Sequence, residues 1–214
     1  MKLRLFVLCT VSIAFVSAAQ TFFDDFNRKS TPFVERGKTG AIGEGWESSS
    51  SGSWRILDEK VIARTPAEQP KPVLYNKKIV TDSGFKLSAV VTLNTDQRTG
   101  LAGIMSHFQN DTDHYIFRFS GIGTVQFMRK NSASLIMDRQ AAFTQKPRTP
   151  YRLTMVWKVP NSFDLRIEDT ETGKTVFSET VTDSQRSYST GFGGVYCSVL
   201  GTATFDDVSY EKLK

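Results

Sequence analysis

The chain has 214 residues, 39% of them hydrophobic, with 27 Lys and Arg against 22 Asp and Glu for a formal charge of +5. That content suits one globular unit with a sizeable core, and the positive excess is too small and too dispersed to form an electrostatic footprint for nucleic acid. No stretch supplies the roughly 20 consecutive apolar residues that cross a bilayer, so no membrane span is expected.

Residues 1–19 read as an export signal. Met1 to Arg4 is a short basic start, Leu5 to Val16 an apolar run, and Ser17-Ala18-Ala19 the small residues a signal peptidase requires. Its removal takes Lys2 and Arg4 away and lowers the formal charge to +3, 25 basic against 22 acidic residues. The mature unit, residues 20–214, is expected outside the cytoplasm, extracellular or periplasmic. Cys9 lies inside the signal. Cys197 then has no internal disulfide partner, and its apolar setting suits a small buried residue rather than a nucleophile.

In chain order, Thr21-Phe22-Phe23-Asp24-Asp25-Phe26 opens the mature chain as a short alternating strand, and Ala203 to Tyr210, with Asp206-Asp207, closes it on the same pattern. That symmetry predicts that the first and last strands lie side by side. Arg28 to Gly45 is a long Gly- and charge-containing loop, functional or loosely ordered. Beyond it the period is two almost everywhere. Phe85 to Leu93, Leu101 to Gln109, His114 to Ser120, Thr124 to Arg129, Tyr151 to Lys158 and Phe163 to Glu168 read as strands. The turn-forming runs Asn110 to Asp113, Gly121 to Gly123, Pro160 to Ser162 and Thr170 to Gly173 separate several of them as successive hairpins. Roughly a dozen strands with no convincing helix predict an all-β sandwich or barrel.

The hairpin about Asn110 and Asp111 gives a parity argument. With an even turn, Met105, His107, Gln109, His114, Ile116, Arg118 and Ser120 share one face, and Ile104, Phe108, Tyr115, Phe117 and Phe119 the other. The next strand adds Val125 and Phe127 to the aromatic core face, and Gln126 and Met128 to the polar one. A strip of His107, His114, Arg118 and Gln126 could exchange hydrogen bonds with a hydroxyl-rich ligand; the plainer reading is a solvated sheet face. Trp54 and Trp157 read as core. Trp46, after the long loop, and Tyr188, Phe192 and Tyr196, near the Gly191 to Gly194 loop, are candidates for stacking on a sugar ring.

Six motifs, taken in order, carry a family likeness. They are D-D-F-N-R near the start, G-E-G-W at Gly43 to Trp46, G-S-W-R-I at Gly52 to Ile56, H-Y-I-F-R-F at His114 to Phe119, Y-R-L-T-M at Tyr151 to Met155 and F-D-D-V-S-Y at Phe205 to Tyr210. Together the chain resembles exported laminin-G-like or concanavalin A-like jelly-roll domains of the lectin and glucanase type. The resemblance implies two curved antiparallel sheets, in a superfamily of lectins, carbohydrate-binding modules, family 16 glycoside hydrolases and adhesion modules, among which fold alone does not choose. Many such sandwiches hold a structural calcium where the chain ends meet. Asp25 and Asp206 are the candidate ligands, since like charges at short range are tolerable when a hard cation neutralises them; the plainer reading is that alternate Asp residues face solvent and cap the strands.

No catalytic constellation stands out. The E-x-D-x-x-E strand of family 16 hydrolases is missing, and Glu168-Asp169-Thr170-Glu171 reads as a hairpin turn. A G-x-S-x-G elbow, enough soft ligands for zinc, and the motifs of jelly-roll alginate lyases are also missing. The expectation is a secreted, lectin-like protein that binds a polysaccharide or glycan through His107, His114, Arg118, Gln126, Trp46 and Phe192. The alternatives are a polysaccharide-degrading hydrolase, marked by a cleft with two carboxylates, and an adhesion module for an extracellular protein, marked by a flat apolar patch.

Overall fold

The computed structural model describes residues 20–213 apart from 38, 51–52, 65–72, 95–99, 122, 133, 159–160, 186 and 199–201; the export signal lies outside the described residues. Alternation of buried and outward side chains builds the strands β1 (Thr21–Asp24), β2 (Trp46–Ser48), β3 (Trp54–Leu57), β4 (Lys60–Arg64), β5 (Val73–Val80), β6 (Phe85–Leu93), β7 (Leu101–Asn110) and β8 (Asp113–Ser120). They are followed by β9 (Thr124–Asn131), β10 (Ser134–Ala142), β11 (Tyr151–Lys158), β12 (Ser162–Asp169), β13 (Thr175–Thr182), β14 (Phe192–Ser198) and β15 (Thr202–Lys212). Every pairing is antiparallel, in two sheets. One runs β13-β12-β11-β6-β15-β4-β3 with β1 added along β15, and the other runs β10-β9-β8-β7-β14-β5-β2. The result is an all-β, two-sheet jelly-roll sandwich.

Strand β11 shows why the sequence folds this way. Tyr151, Leu153, Met155 and Trp157 are buried and Arg152, Thr154 and Val156 are half-exposed, so one face of the pleat enters the space between the sheets. Trp54, Phe85, Phe163 and Phe205 of the same sheet and Phe117 of the opposite one are fully buried there. Replacing one such ring with a methyl group would cost about 3 to 5 kcal/mol. The chain ends meet as expected, with Phe22 opposite Tyr210 and Asp24 opposite Val208.

The described part of the long loop is tied down. Asp24 binds Arg28 through two bonds of 2.7 and 2.9 Å, accepts from Trp46 Nε1 at 2.8 Å and accepts from the Phe26 amide at 2.9 Å. Thr31 and Val34 donate backbone bonds to Ile56 and Trp54, and Arg64 lies 3.7 Å over the Phe33 ring. The acidic run at the end of β12 is the turn expected of it: Asp169 Oδ1 accepts from the amides of Glu171 and Thr172 at 3.0 Å each, and Gly173 takes φ +66. Cys197 is buried.

Candidate functional site

The seven-stranded sheet turns a second set of side chains away from the main core. Val73, Met105, Phe108, Ile116 and Tyr196 form a separate apolar cluster, with Tyr75 and Phe192 packed against it. Along β8 the parity expected from the sequence is found: Tyr115, Phe117 and Phe119 enter the main core, while Ile116 joins the outward cluster. Arg118 pairs across to Gln126 and Ile116 to Met128. These outward polar groups are buried rather than solvated, Arg118 being 4% and Gln126 6% exposed, and the centre of the Tyr196 ring lies 5.5 Å from the Arg118 guanidinium.

Parity fails on β7. Three residues, His107 to Gln109, lie opposite the single step from Asp113 to Tyr115, and His107 takes φ +53. This bulge reverses the alternation, so His107 turns into the core and does not share the face of Arg118. It packs among rings, with centroids 4.5 Å from Trp157 and 5.2 Å from Tyr115, and burial depresses its pKa to about 3. Phe108, expected in the core, is thrown outward onto Tyr75, with centroids 4.5 Å apart.

Trp46 is also displaced from the expected role. It is 2% exposed, with its Nε1 bonded to Asp24 and its ring against Phe22 and Phe26, so it closes the core beneath the loop. His114 stays on the outward face, 5.6 Å from the Phe108 ring, with Nδ1 3.2 Å from the Asn110 carbonyl. Phe192 stacks on the far side of the aromatic group, 5.8 Å from Tyr75 at an interplanar angle of 20°. Gln126 accepts from Arg118 Nε at 3.0 Å and donates to Gln140 at 3.1 Å.

Tyr75, Phe108 and Phe192 therefore form an aromatic group on this face, and a cavity of about 300 Å³ opens beside it, lined among others by Arg36, Glu47, Tyr75, Phe108, Asn110 and Asp111. That volume is at the lower end for small-molecule sites. Glu47 accepts from the Tyr75 hydroxyl at 2.6 Å and pairs with Lys77 at 2.5 Å. Those two partners hold its carboxyl below the ordinary range, the reverse of what a proton donor requires. Burial and the neighbouring Glu47 carboxylate together raise the Tyr75 phenol. Tyr75 carries no alternation signal, since Val73, Leu74 and Tyr75 are consecutive apolar residues, and Phe108 was hidden by the bulge.

The acidic pairs at the chain ends engage protein groups. Asp207, at φ +47 in a bulge of β15, pairs with Arg152 at 2.9 Å, Lys60 lies 4.0 Å from Asp206, and Asp25 accepts from the Asn27 amide at 3.1 Å. Burial above all raises the Asp206 carboxyl, opposed by its bond from the Asp207 amide and by Lys60 and aided by the like charges of Asp207 and Asp25. Among the described residues no group of three or more His, Cys, Asp or Glu side chains gathers where a metal could sit, so side chains alone do not make a calcium cage there. No described helix is long and apolar enough to cross a membrane.

No family model matches the chain, and no curated protein matches it. Solved structures do. The carbohydrate binding module CBM66 from Bacillus subtilis superposes with a TM-score of 0.65 at 17% identity, covering 78% of this chain and 96% of that one. The GH43 protein BlXynB from Bacillus licheniformis, as a variant, gives 0.64 at 14% identity, with 89% of this chain matching 39% of that longer one. The exoplasmic/lumenal domain of VIP36 in its Ca2+/Man3GlcNAc-bound form gives 0.60 at 10% identity over 85% of this chain and 88% of that one. At these identities the likeness shows the fold alone, a two-sheet jelly-roll β-sandwich.

Proposed function

We propose that this is an exported protein that binds a glycan or polysaccharide on the outward face of its seven-stranded sheet, without catalysing its cleavage. The observation that carries the reading is the aromatic group Tyr75, Phe108 and Phe192 beside a cavity with charged and amide side chains at Arg36, Glu47, Asn110 and Asp111. A flat ring packs against the C–H patch of a pyranose, while polar groups around it fix orientation by hydrogen bonding. Fold-level likeness to a carbohydrate binding module and to VIP36 supports the same class of ligand. Asn110 Oδ1 accepts from the Thr112 amide at 2.7 Å, which rigidifies the turn at the cavity rim.

The test is a glycan-array screen with a reducing-sugar assay on the same protein, followed by titration of Tyr75→Ala. Removing the ring also takes the phenol from Glu47, which keeps Lys77, and uncovers Phe108, so affinity should fall by about 1 to 3 kcal/mol, the scale of a lost stacking contact. Release of reducing ends, or unchanged affinity in Tyr75→Ala, would overturn the reading. A calcium ion at Asp25 and Asp206 is a separate proposal, supported by the raised Asp206 carboxyl, with backbone or water oxygens needed to complete the shell.

A further inference from the structure

Two arginines are almost completely buried in the seven-stranded sheet, and they are treated differently. Arg129, 6% exposed on the inward face, is matched by acids: Asp183 lies 3.2 Å from its Nη1 and Asp138 3.4 Å from its Nε. Arg118, 4% exposed on the outward face, is met by neutral groups. Its Nε donates to Gln126 Oε1 at 3.0 Å, its Nη1 donates to the Tyr196 hydroxyl at 3.1 Å, and its guanidinium carbon lies 5.5 Å from the centre of the Tyr196 ring. No carboxylate of the described residues pairs with it.

A buried cation without a counter-charge costs several kcal/mol, and burial accordingly pulls this guanidinium below the ordinary arginine range. The geometry leaves a particular part of the group unused. Of its five N–H bonds, one at Nε and one at Nη1 are engaged, which leaves one donor on Nη1 and two on Nη2. Two parallel donors match the two oxygens of a carboxylate. Gln126, itself steadied by Gln140, and Tyr196 hold the fork in one orientation. Across the strand pair stands Gly103, which brings no side chain opposite Arg118 and has no room for one, since a Cβ there would meet the Phe117 carbonyl oxygen at 2.0 Å.

We propose that Arg118 is the anion receptor of this face, and that the ligand is an acidic saccharide whose carboxylate supplies the missing counter-charge. This rests on the carbohydrate-binding reading of the same face and names the ligand class within it. A neutral sugar would leave the cation uncompensated; a uronate would pair with it in a low-dielectric setting where the interaction is strong.

The experiment titrates the full mature chain with an oligouronate, its carboxyl-reduced neutral counterpart and a sulfated oligosaccharide, and records melting curves of the wild type and Arg118→Met. The oligouronate should bind at least tenfold more tightly than the neutral counterpart, and should outbind the sulfated chain, whose acceptor oxygens are not planar. Arg118→Met should lose that preference while melting at or above the wild-type temperature, because apolar volume replaces an unpaired charge. Equal binding of charged and neutral chains, lost in Tyr75→Ala, would leave the carbohydrate reading standing and overturn the acidic ligand. Stronger binding of the sulfated chain would overturn the carboxylate, and failure of all three chains would overturn both readings. A lowered melting temperature in Arg118→Met, or an oligouronate preference that survives in that variant, would make the arginine structural and overturn its role as receptor.

Discussion

Acid should unfold this protein through His107. The Ser106 hydroxyl donates to Met155 Sδ at 3.2 Å, so the 3.0 Å contact between Ser106 Oγ and His107 Nδ1 is one in which the imidazole donates. That tautomer leaves Nε2 as a bare lone pair, and Nε2 has no partner in its cage of Phe85, Tyr115 and Trp157. Protonation would place an N–H and a positive charge where nothing accepts them. The folded pKa is accordingly depressed to about 3 by burial, against 6.5 for a free histidine. A depressed histidine stabilises the fold fully above pH 6.5, and that stability is lost as the pH falls from 6.5 toward 3, because the unfolded chain takes up a proton that the folded chain refuses. At 1.36 kcal/mol per unit, the loss from this residue is about 2 kcal/mol at pH 5 and about 3 kcal/mol at pH 4. Denaturant unfolding of wild type and His107→Asn at pH 7.5 and pH 5 measures it; asparagine tolerates the positive φ and does not titrate. The variant starts from a lower stability but should lose about 2 kcal/mol less between the two values, with His114 common to both. Parallel losses would refute the buried neutral imidazole.

Two further outcomes are expected. N-terminal sequencing of exported protein should begin at Ala19 or Gln20, the export signal having been removed, and an intact Met1 would reject it. If calcium joins Asp25 and Asp206, a chelator should lower the melting temperature, since an ion bound to the native state alone stabilises it, and an unchanged curve with no metal by elemental analysis would reject the site.

Period-two patterning is legible where a strand has one apolar and one polar face, and β6, β8 and β11 could be read for that reason. Strand β13 escaped because it is the edge of its sheet, where most positions are exposed or half-exposed and alternation carries little burial. The site was legible to the same depth. Arg118 and Gln126 could be paired by counting, because β8 and β9 run in register without interruption from His114 opposite Lys130 to Ser120 opposite Thr124. His107 and Phe108 could not, since parity counting assumes an unbroken pleat and the bulge exchanges their faces. Trp46 was misread for a different reason: the acid that holds its Nε1 inside the protein lies 22 residues away, and a tertiary hydrogen bond leaves no trace in local spacing. The bulge also shapes the proposed site. It removes a histidine from the polar strip and puts an aromatic ring in reach of Tyr75, so the strip expected from the sequence becomes a face with an aromatic end near Phe192 and a guanidinium end at Arg118. A ligand that satisfied both would need a ring to stack and a charge to pair, and an acidic sugar has both.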